Sequence, residues 1–276
     1  MSSSTLNSAR TIAPQGLSAR DSAVIFDCRF SLADPGAGQG LYREGHIPGA
    51  HYLHLEQDMA SPVQPHGGRH PLPDPAEFAA LLAAHGVGPE TEVIAYDDNG
   101  LAFAARLWWL MKSLDFKPPL LLSGGYQAWL AAGGEVETQI PDKHAIEKAS
   151  PGTTPRVFSG VCDIAGLRAA QSAGSTVVDS REERRYQGLE EPIDPVAGHI
   201  PGAVNHPWQA VTDSAGKFLS EQDQRAHWGD VLEAQQLVVY CGSGVTACVN
   251  LFSLASLGRD DAVLYAGSWS DWCSYL

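Results

Sequence analysis

The residues with the clearest chemical promise stand in one run, 237-LVVYCGSGVTACVNLFSLASLG-258. Four apolar residues lead into Cys241, Gly-Ser-Gly follows, and a long apolar segment comes next. The pattern predicts a buried strand over 237–240 and a helix from about Val245 to Leu257, ended by Gly258. Cys241 to Gly244 then form a tight loop between them. In open α/β sheets, active sites lie at the carboxyl ends of strands. Gly242 and Gly244 let backbone N–H groups turn into the loop. Those groups, with the positive end of the helix, make a nest for an anion. A sulfur held there is favoured as a thiolate and is nucleophilic near neutral pH. Ser243 and Thr246 can add hydroxyl donors. An ordinary cysteine is better read as a small apolar residue, and Cys28, Cys162, Cys248 and Cys273 receive that reading. For Cys241 the glycine-rich loop reverses it.

The elements that must position this loop occur twice. The block GHIPGA stands in 43-REGHIPGAHYL-53 and again in 196-VAGHIPGAVNHP-207. Upstream of each lies a short β-branched strand ending in Asp, 24-VIFD-27 and 177-VVD-179. Downstream, 93-VIAYDDNGLAFAARLWWLM-111 matches 237-LVVYCGSGVTACVNLFSLA-255, and 120-LLLSGGYQAW-129 matches 263-VLYAGSWSDW-272 more loosely. Four markers in one order indicate two copies of one domain. The first is expected over 10–138 and the second over 158–276, joined by a polar, proline-bearing linker over 139–157. Short strands alternating with amphipathic helices imply, for each copy, a mainly parallel sheet flanked by helices. One helix announces itself in 74-DPAEFAALLAAHG-86. Asp74 suits the N-cap, Pro75 N1, Glu77 the capping-box position and Gly86 the left-handed C′ position, with Phe78, Leu81, Leu82 and His85 at helical spacing. Its counterpart is expected over 221–233, after Ser220. At the place of Cys241 the first copy has Asp97, so the second copy is expected to be active and the first inactive.

The whole chain narrows the classes. It has 276 residues, 44% of them hydrophobic and 18% charged, and a formal net charge of −14. That balance argues against a nucleic-acid partner, which needs a basic face. A small anionic substrate remains compatible, because a local basic pocket can form on an acidic protein. Five scattered cysteines with no CxxC pair give no metal-site pattern. An odd count, with no apolar leader in MSSSTLNSAR and no run long enough for a membrane helix, leads us to expect a cytoplasmic protein without membrane contact.

With these residues in view, the chain resembles the tandem-domain sulfurtransferases of the rhodanese family, closest to the 3-mercaptopyruvate branch. The resemblance runs from about residue 10 to the end and rests on 241-CGSGVTA-247, both GHIPGA blocks, 179-DSREERRYQG-188 and the terminal GSWSDW. It implies two rhodanese-like domains and sulfane sulfur carried as a persulfide on Cys241. The donor is cleaved, and an acceptor such as cyanide or a thiol removes the sulfur, in ping-pong fashion. The backbone of Gly242, Gly244, Val245 and Thr246 would cradle the persulfide. By the family pattern, Ser243 belongs to a relay with a histidine of the first copy, best matched by His70 in 69-RHPLP-73, with Glu56 a candidate acidic orienter. Arg185 matches the arginine that grips the donor's carboxylate. The neutral loop favours 3-mercaptopyruvate, since thiosulfate-preferring members usually carry cations there. Asp194 departs from that pattern, because the mercaptopyruvate branch usually has a second arginine at this place. The resemblance implies no metal or organic cofactor. Its partners would be a small sulfur donor and acceptor, among them a thioredoxin-like or other thiol acceptor.

Three other readings bear on the same residues. A thiosulfate:cyanide sulfurtransferase would use the same cysteine. A persulfide carrier or binding module would keep it without turnover. A phosphatase would close the loop with an arginine at the place of Ala247, and none is there. Arg181 and Arg184 are expected on a solvated charged face. His46 and His199 are expected to bond backbone, and Trp108, Trp109, Trp129, Trp269 and Trp272 to pack.

Overall fold

A computed structural model describes residues 10–17, 20, 22–141 and 157–276. Of the expected linker, 142–156 lie outside the described residues. The chain divides into two compact units. One gathers the described residues up to Ala60, Pro73–Ser159 and Ser214–Phe218. The other gathers Ser61–Leu72, Gly160–Asp213 and Leu219–Leu276. The second unit thus takes in twelve residues, 61–72, that precede its own strands in sequence.

The first unit holds β1 (Thr11–Ile12), β2 (Val24–Asp27), β3 (His51–Tyr52), β4 (Val93–Tyr96) and β5 (Leu120–Leu122), ordered β1-β5-β4-β2-β3. The second holds β6 (Val161–Cys162), β7 (Thr176–Asp179), β8 (Val204–Asn205), β9 (Leu237–Tyr240) and β10 (Val263–Tyr265), ordered β6-β10-β9-β7-β8. The two orders are the same, and every strand pair is parallel. β4 and β9 are buried at all positions, as the central strands of a sheet covered on both faces require.

The repeated motifs build the same core in each unit. Tyr96 Oη donates to Asp27 Oδ2 at 2.7 Å, and Tyr240 Oη to Asp179 Oδ2 at 2.7 Å. Arg29 pairs with Asp27 and donates to the carbonyl of Gly45; Arg181 pairs with Asp179 and donates to the carbonyl of Gly198. The GHIPGA histidines serve this frame. His46 stacks on Tyr42 and His199 on Tyr186, each with Nδ1 at 2.8 Å from that tyrosine's carbonyl oxygen. Arg181 therefore departs from the expected solvated face. Its side chain is 1% exposed, and its charge is balanced by Asp179 and Glu191. A buried guanidinium needs such paired partners. The sequence signal is the repeated Asp-x-Arg, 27-DCR-29 and 179-DSR-181. Arg184 is exposed, as expected, beside Glu190.

Helix Pro75–Ala84 follows its capping residues. The Asp74 carboxylate accepts from the amides of Ala76 and Glu77, and Gly86 has φ +77°. In the second unit Ser220 caps Glu221–Trp228, but Gly229 (φ +50°) ends that helix, and 229–233 continue as a 3-10 turn instead of the single helix expected over 221–233. The helix after the Cys241 loop runs Ala247–Ser256, two residues shorter at its start than expected, with Thr246 at the N-cap. All ten of its residues are buried, and Gly258 (φ +92°) follows its end. Among the described residues, no helix is long and apolar enough to cross a membrane.

Candidate active site

Cys241 follows β9 directly, at the carboxyl edge of the second sheet, and is 1% exposed. Its loop is clamped by the turn after β10. The amide of Trp269 donates to the carbonyl of Cys241 at 3.0 Å, the amide of Ser270 to that of Gly242 at 2.9 Å, and the amide of Cys241 to Ser268 Oγ at 3.1 Å. Gly244 has φ +76°, and a Cβ there would lie 2.2 Å from the carbonyl oxygen of Ala266. Only glycine meets both demands. The sequence pairs GSWSDW with GGYQAW without assigning it this clamping place.

The first unit displays what such a loop holds. Asp97 occupies the position of Cys241, and its carboxylate accepts the amides of Asn99, Leu101, Phe103 and Ala104 at 2.9–3.1 Å. Counted from the central strand, the same offsets in the second unit are Ser243, Val245, Ala247 and Cys248. The glycines at the shared offset, Gly100 and Gly244, are both left-handed. The contacts are not all shared, because the amide of Cys248, the counterpart of Ala104, donates to the carbonyl of Val245; in the first unit burial raises the Asp97 carboxyl against the pull of its four amides.

The segment 61–72 delivers two further site residues. Gly67 and Gly68 take positive φ, and a Cβ on Gly68 would lie 2.4 Å from the carbonyl oxygen of Gly267. The amide of Gly67 donates to Asp271 Oδ1 and the amide of Arg69 to Ser270 Oγ. His70, 4% exposed, then places Nδ1 2.8 Å from Ser243 Oγ. The expected pair is therefore brought together, with His70 packed in the second unit despite its place in the sequence of the first copy. Glu56 lies exposed in helix Leu55–Asp58 of the first unit. Thr246 forms no side-chain cap bond, and Val245 is buried, so either would act through its backbone.

Arg185 lies beside Gly242. It donates through Nε and Nη2 to Glu191 at 3.2 and 2.6 Å, and through Nη2 to Asp194 Oδ2 at 3.2 Å. Asp194 also pairs with Arg69. Glu191 and Arg69 escape sequence reasoning, because a Glu in 189-LEEPID-194 and an Arg in a glycine loop look like surface residues. Burial opposes the charge of Glu191, but Arg185 and the amides of Asp194 and Ile193 outweigh it, holding the carboxyl below its usual range. For Asp194 burial prevails, raising its carboxyl above the usual range against the pull of Arg69.

Three other cysteines are held as thiols. Burial, aided by Asp97, pushes the Cys28 thiol well up. Burial raises Cys162 to about 12 and Cys273 to about 11. Cys162 lines a cavity of about 600 Å³ with Gly67, Pro71, Asp163, Ala266 and Asp271, and that cavity does not include Cys241. A thiol held protonated is a poor nucleophile.

Comparison with known proteins bears on this geometry. A model of the rhodanese-like domain matches residues 14–132 and 164–275. The chain is 42% identical over 282 aligned positions, covering 97% of it and 96% of the relative, to a Pseudomonas aeruginosa protein named "Probable 3-mercaptopyruvate sulfurtransferase". It is 32% identical to a thiosulfate sulfurtransferase of Gallus gallus, covering 84% of this chain and 79% of that one. A solved structure of 3-mercaptopyruvate sulfurtransferase from Leishmania major superposes with a TM-score of 0.84 at 29% identity, covering 100% of this chain and 76% of that one.

Proposed function

The chain belongs to the rhodanese family as a tandem of two rhodanese-like domains, and from that premise we propose that it is a sulfurtransferase moving sulfane sulfur from 3-mercaptopyruvate to a thiophilic acceptor through a persulfide on Cys241. The observation that carries this reading is the loop shared by the two units. Four amides converge on the Asp97 carboxyl, and Cys241 stands at the matching place directly after the central strand of the second unit.

The chemistry follows from that placement. The Cys241 thiolate attacks the donor's sulfur. An S–S bond forms, the sulfur–C3 bond breaks, and its electron pair passes to C3 as the enolate of pyruvate. The 2-oxo group stabilises that enolate, which then takes a proton to become pyruvate. The buried Ser243–His70 pair relays the donor's thiol proton to C3, its hydroxyl 2.8 Å from an imidazole nitrogen. The outer sulfur rests as a persulfide anion among the loop amides, as the Asp97 carboxylate does in the first unit. Cyanide or a thiol, a thioredoxin-like protein included, then attacks the outer sulfur and releases the Cys241 thiolate. The first domain lacks a thiol at this position and is catalytically inactive. The five free cysteines suit a reducing compartment such as the cytoplasm.

The neutral loop supports 3-mercaptopyruvate over thiosulfate, and so does the name of the P. aeruginosa relative. Thiosulfate is the second reading, favoured by Asp194 and by the G. gallus relative. Steady-state transfer to cyanide from each donor, with Cys241→Ser as control, tests the proposal. A higher kcat/KM for 3-mercaptopyruvate, abolished by the substitution, is the expected result. A preference for thiosulfate overturns the donor. Activity surviving Cys241→Ser overturns the mechanism.

A further inference from the structure

Asn250 is a buried polar residue that packing alone does not explain. It is the fourth residue of helix Ala247–Ser256 and is 0% exposed. Its Nδ2 donates to Ser180 Oγ at 2.9 Å and to the carbonyl oxygen of His206 at 2.7 Å. Its Oδ1 accepts no hydrogen bond among the described residues, which costs stability in a buried place. The first unit builds the same frame with an apolar pair. Its matching helix, Ala104–Ser113, is also ten residues long, and a left-handed residue follows each helix two positions past its end, Asp115 and Gly258. Counted along these helices, Leu107 stands at the place of Asn250. In the repeated Asp-x-Arg, Cys28 stands at the place of Ser180. All four side chains are 0% exposed.

The hydrogen-bonded pair joins the two ends of the reactive loop. The amide of Ser180 donates at 2.8 Å to the carbonyl of Tyr240, the residue before Cys241. Asn250 lies in the first turn of the helix at the loop's other end. Ser180 therefore links the end of β9 to the start of that helix, across the base of the loop. In the first unit the amide of Cys28 makes the same bond to the carbonyl of Tyr96, also at 2.8 Å. That loop, however, is tied from within, through the four amides that donate to Asp97. Cys241 cannot serve as a fixed tie of that kind, because its sulfur must take up and release another.

We propose that Asn250 and Ser180 are positioning residues for sulfur transfer, a polar brace that holds the two ends of the Cys241 loop in register. This rests on the sulfurtransferase reading and deepens it. The brace does from outside what the Asp97 carboxyl does from inside the first unit's loop. It keeps the loop's shape while leaving the interior to the sulfur that Cys241 carries. It acts through the strand end and the helix start, and it meets neither donor nor acceptor. The pair therefore belongs to the unit whose loop must stay open, and an apolar pair suffices where a carboxyl fills the loop. The unsatisfied Oδ1 of Asn250 is a local cost to stability that the bonds to Ser180 and His206 offset only in part.

The test uses Ser180→Ala, and Ser180→Ala combined with Asn250→Leu, in the full chain. Urea unfolding reads stability, backbone amide exchange followed by mass spectrometry reads segments 241–246 and 97–103, and steady-state transfer from 3-mercaptopyruvate to cyanide reads function. Replacing both partners of a buried hydrogen bond by apolar side chains is nearly neutral for stability. The double variant should therefore unfold at a urea midpoint at or above that of wild type. Its 241–246 amides should exchange about 10-fold faster or more, with 97–103 unchanged. Its kcat should fall about 10-fold or more while KM stays within about threefold, because the brace places the sulfur and does not bind the donor. Ser180→Ala should move both readings the same way by a smaller factor, since Asn250 keeps its bond to His206. Exchange of 241–246 within about twofold of wild type overturns the brace. Equal acceleration in both segments also overturns it, because that marks a general loosening. Faster exchange with kcat unchanged overturns the role in transfer. If the double variant does not fold, Ser180→Ala decides by the same outcomes. If the wild type transfers no sulfur, the sulfurtransferase reading fails, and the exchange data still decide the brace.

Discussion

Gly244→Ala probes the clamp on the reactive loop, and its effect can be worked from two glycines of the same unit. Gly244 has φ +76°, and its added Cβ would stand 2.2 Å from a backbone oxygen, that of Ala266. Gly202 has φ +80° with no atom within 4 Å of such a Cβ. Gly202→Ala therefore incurs the left-handed backbone penalty alone, about 1–2 kcal/mol. Gly244→Ala incurs the same penalty plus an overpacking cost of about 1–3 kcal/mol. The overlap is with main chain, so the loop and the turn after β10 must part by most of an ångström. That turn holds the carbonyls of Cys241 and Gly242, so the shift passes to the sulfur. A displacement of about 1 Å at a reacting group costs on the order of 100-fold in rate. Urea unfolding should rank wild type above Gly202→Ala and Gly202→Ala above Gly244→Ala. Sulfur transfer to cyanide should be unchanged in Gly202→Ala and lowered about 100-fold in kcat/KM in Gly244→Ala. Equal stability of the two variants, with Gly244→Ala keeping its rate within about threefold of Gly202→Ala, would refute the clamp.

Two more outcomes follow from the second unit. Ser243→Ala should lower kcat by about 100-fold or more while leaving KM for 3-mercaptopyruvate near its wild-type value, because the hydroxyl serves proton transfer and not donor binding; steady-state kinetics would detect the opposite split. Burial, helped by His227, lowers His206 from 6.5 to about 4, and burial lowers His227 too. The unfolded chain therefore takes up protons first, so stability falls as pH drops from about 6.5 towards 4. After discounting for partial exposure, the His206 share is on the order of 1–3 kcal/mol. His206→Phe can keep the stacking on Trp228 without titrating, so urea unfolding of this variant should lose less stability over that window than wild type. Equal losses would remove His206 from the account.

What could be read from the sequence was local or repeated. The strand–loop–helix around Cys241 carries its signal within some twenty residues, and the duplicated GHIPGA and Asp-ended strands fix the sheet pattern twice over. His70 could be matched by its short motif alone. Arg185 could be matched in the same way, whereas Arg69, Glu191 and the carboxylate pairing at Asp194 could not. Arg69, Arg185, Glu191 and Asp194 meet only because 61–72 packs in the second unit, and no periodicity along the chain records that meeting. Arg181 was misjudged for a related reason. Its neighbours 182-EERR-185 look like a solvated run, while its partner Asp179 lies two residues back at a strand end, where both side chains turn inward. Charge runs report the average exposure of a segment and not that of each member.

The duplication also explains why one substitution separates the two domains. A loop that converges four amides on one point must place an acceptor there, because buried N–H groups without one are costly. The first unit meets that need with its own side chain. The Asp97 carboxyl is buried and takes up four loop amides from within. The second unit has a cysteine at the same position. On the proposed mechanism, a persulfide there would be longer than the cysteine by one sulfur, and that outer sulfur would extend into the loop. On that reading the loop would favour the persulfide intermediate over the free cysteine, which is the differential binding that catalysis requires. On the proposed reading, the side chain at a single loop position decides whether the frame is closed and structural, as at Asp97, or open to a transferable sulfur, as at Cys241.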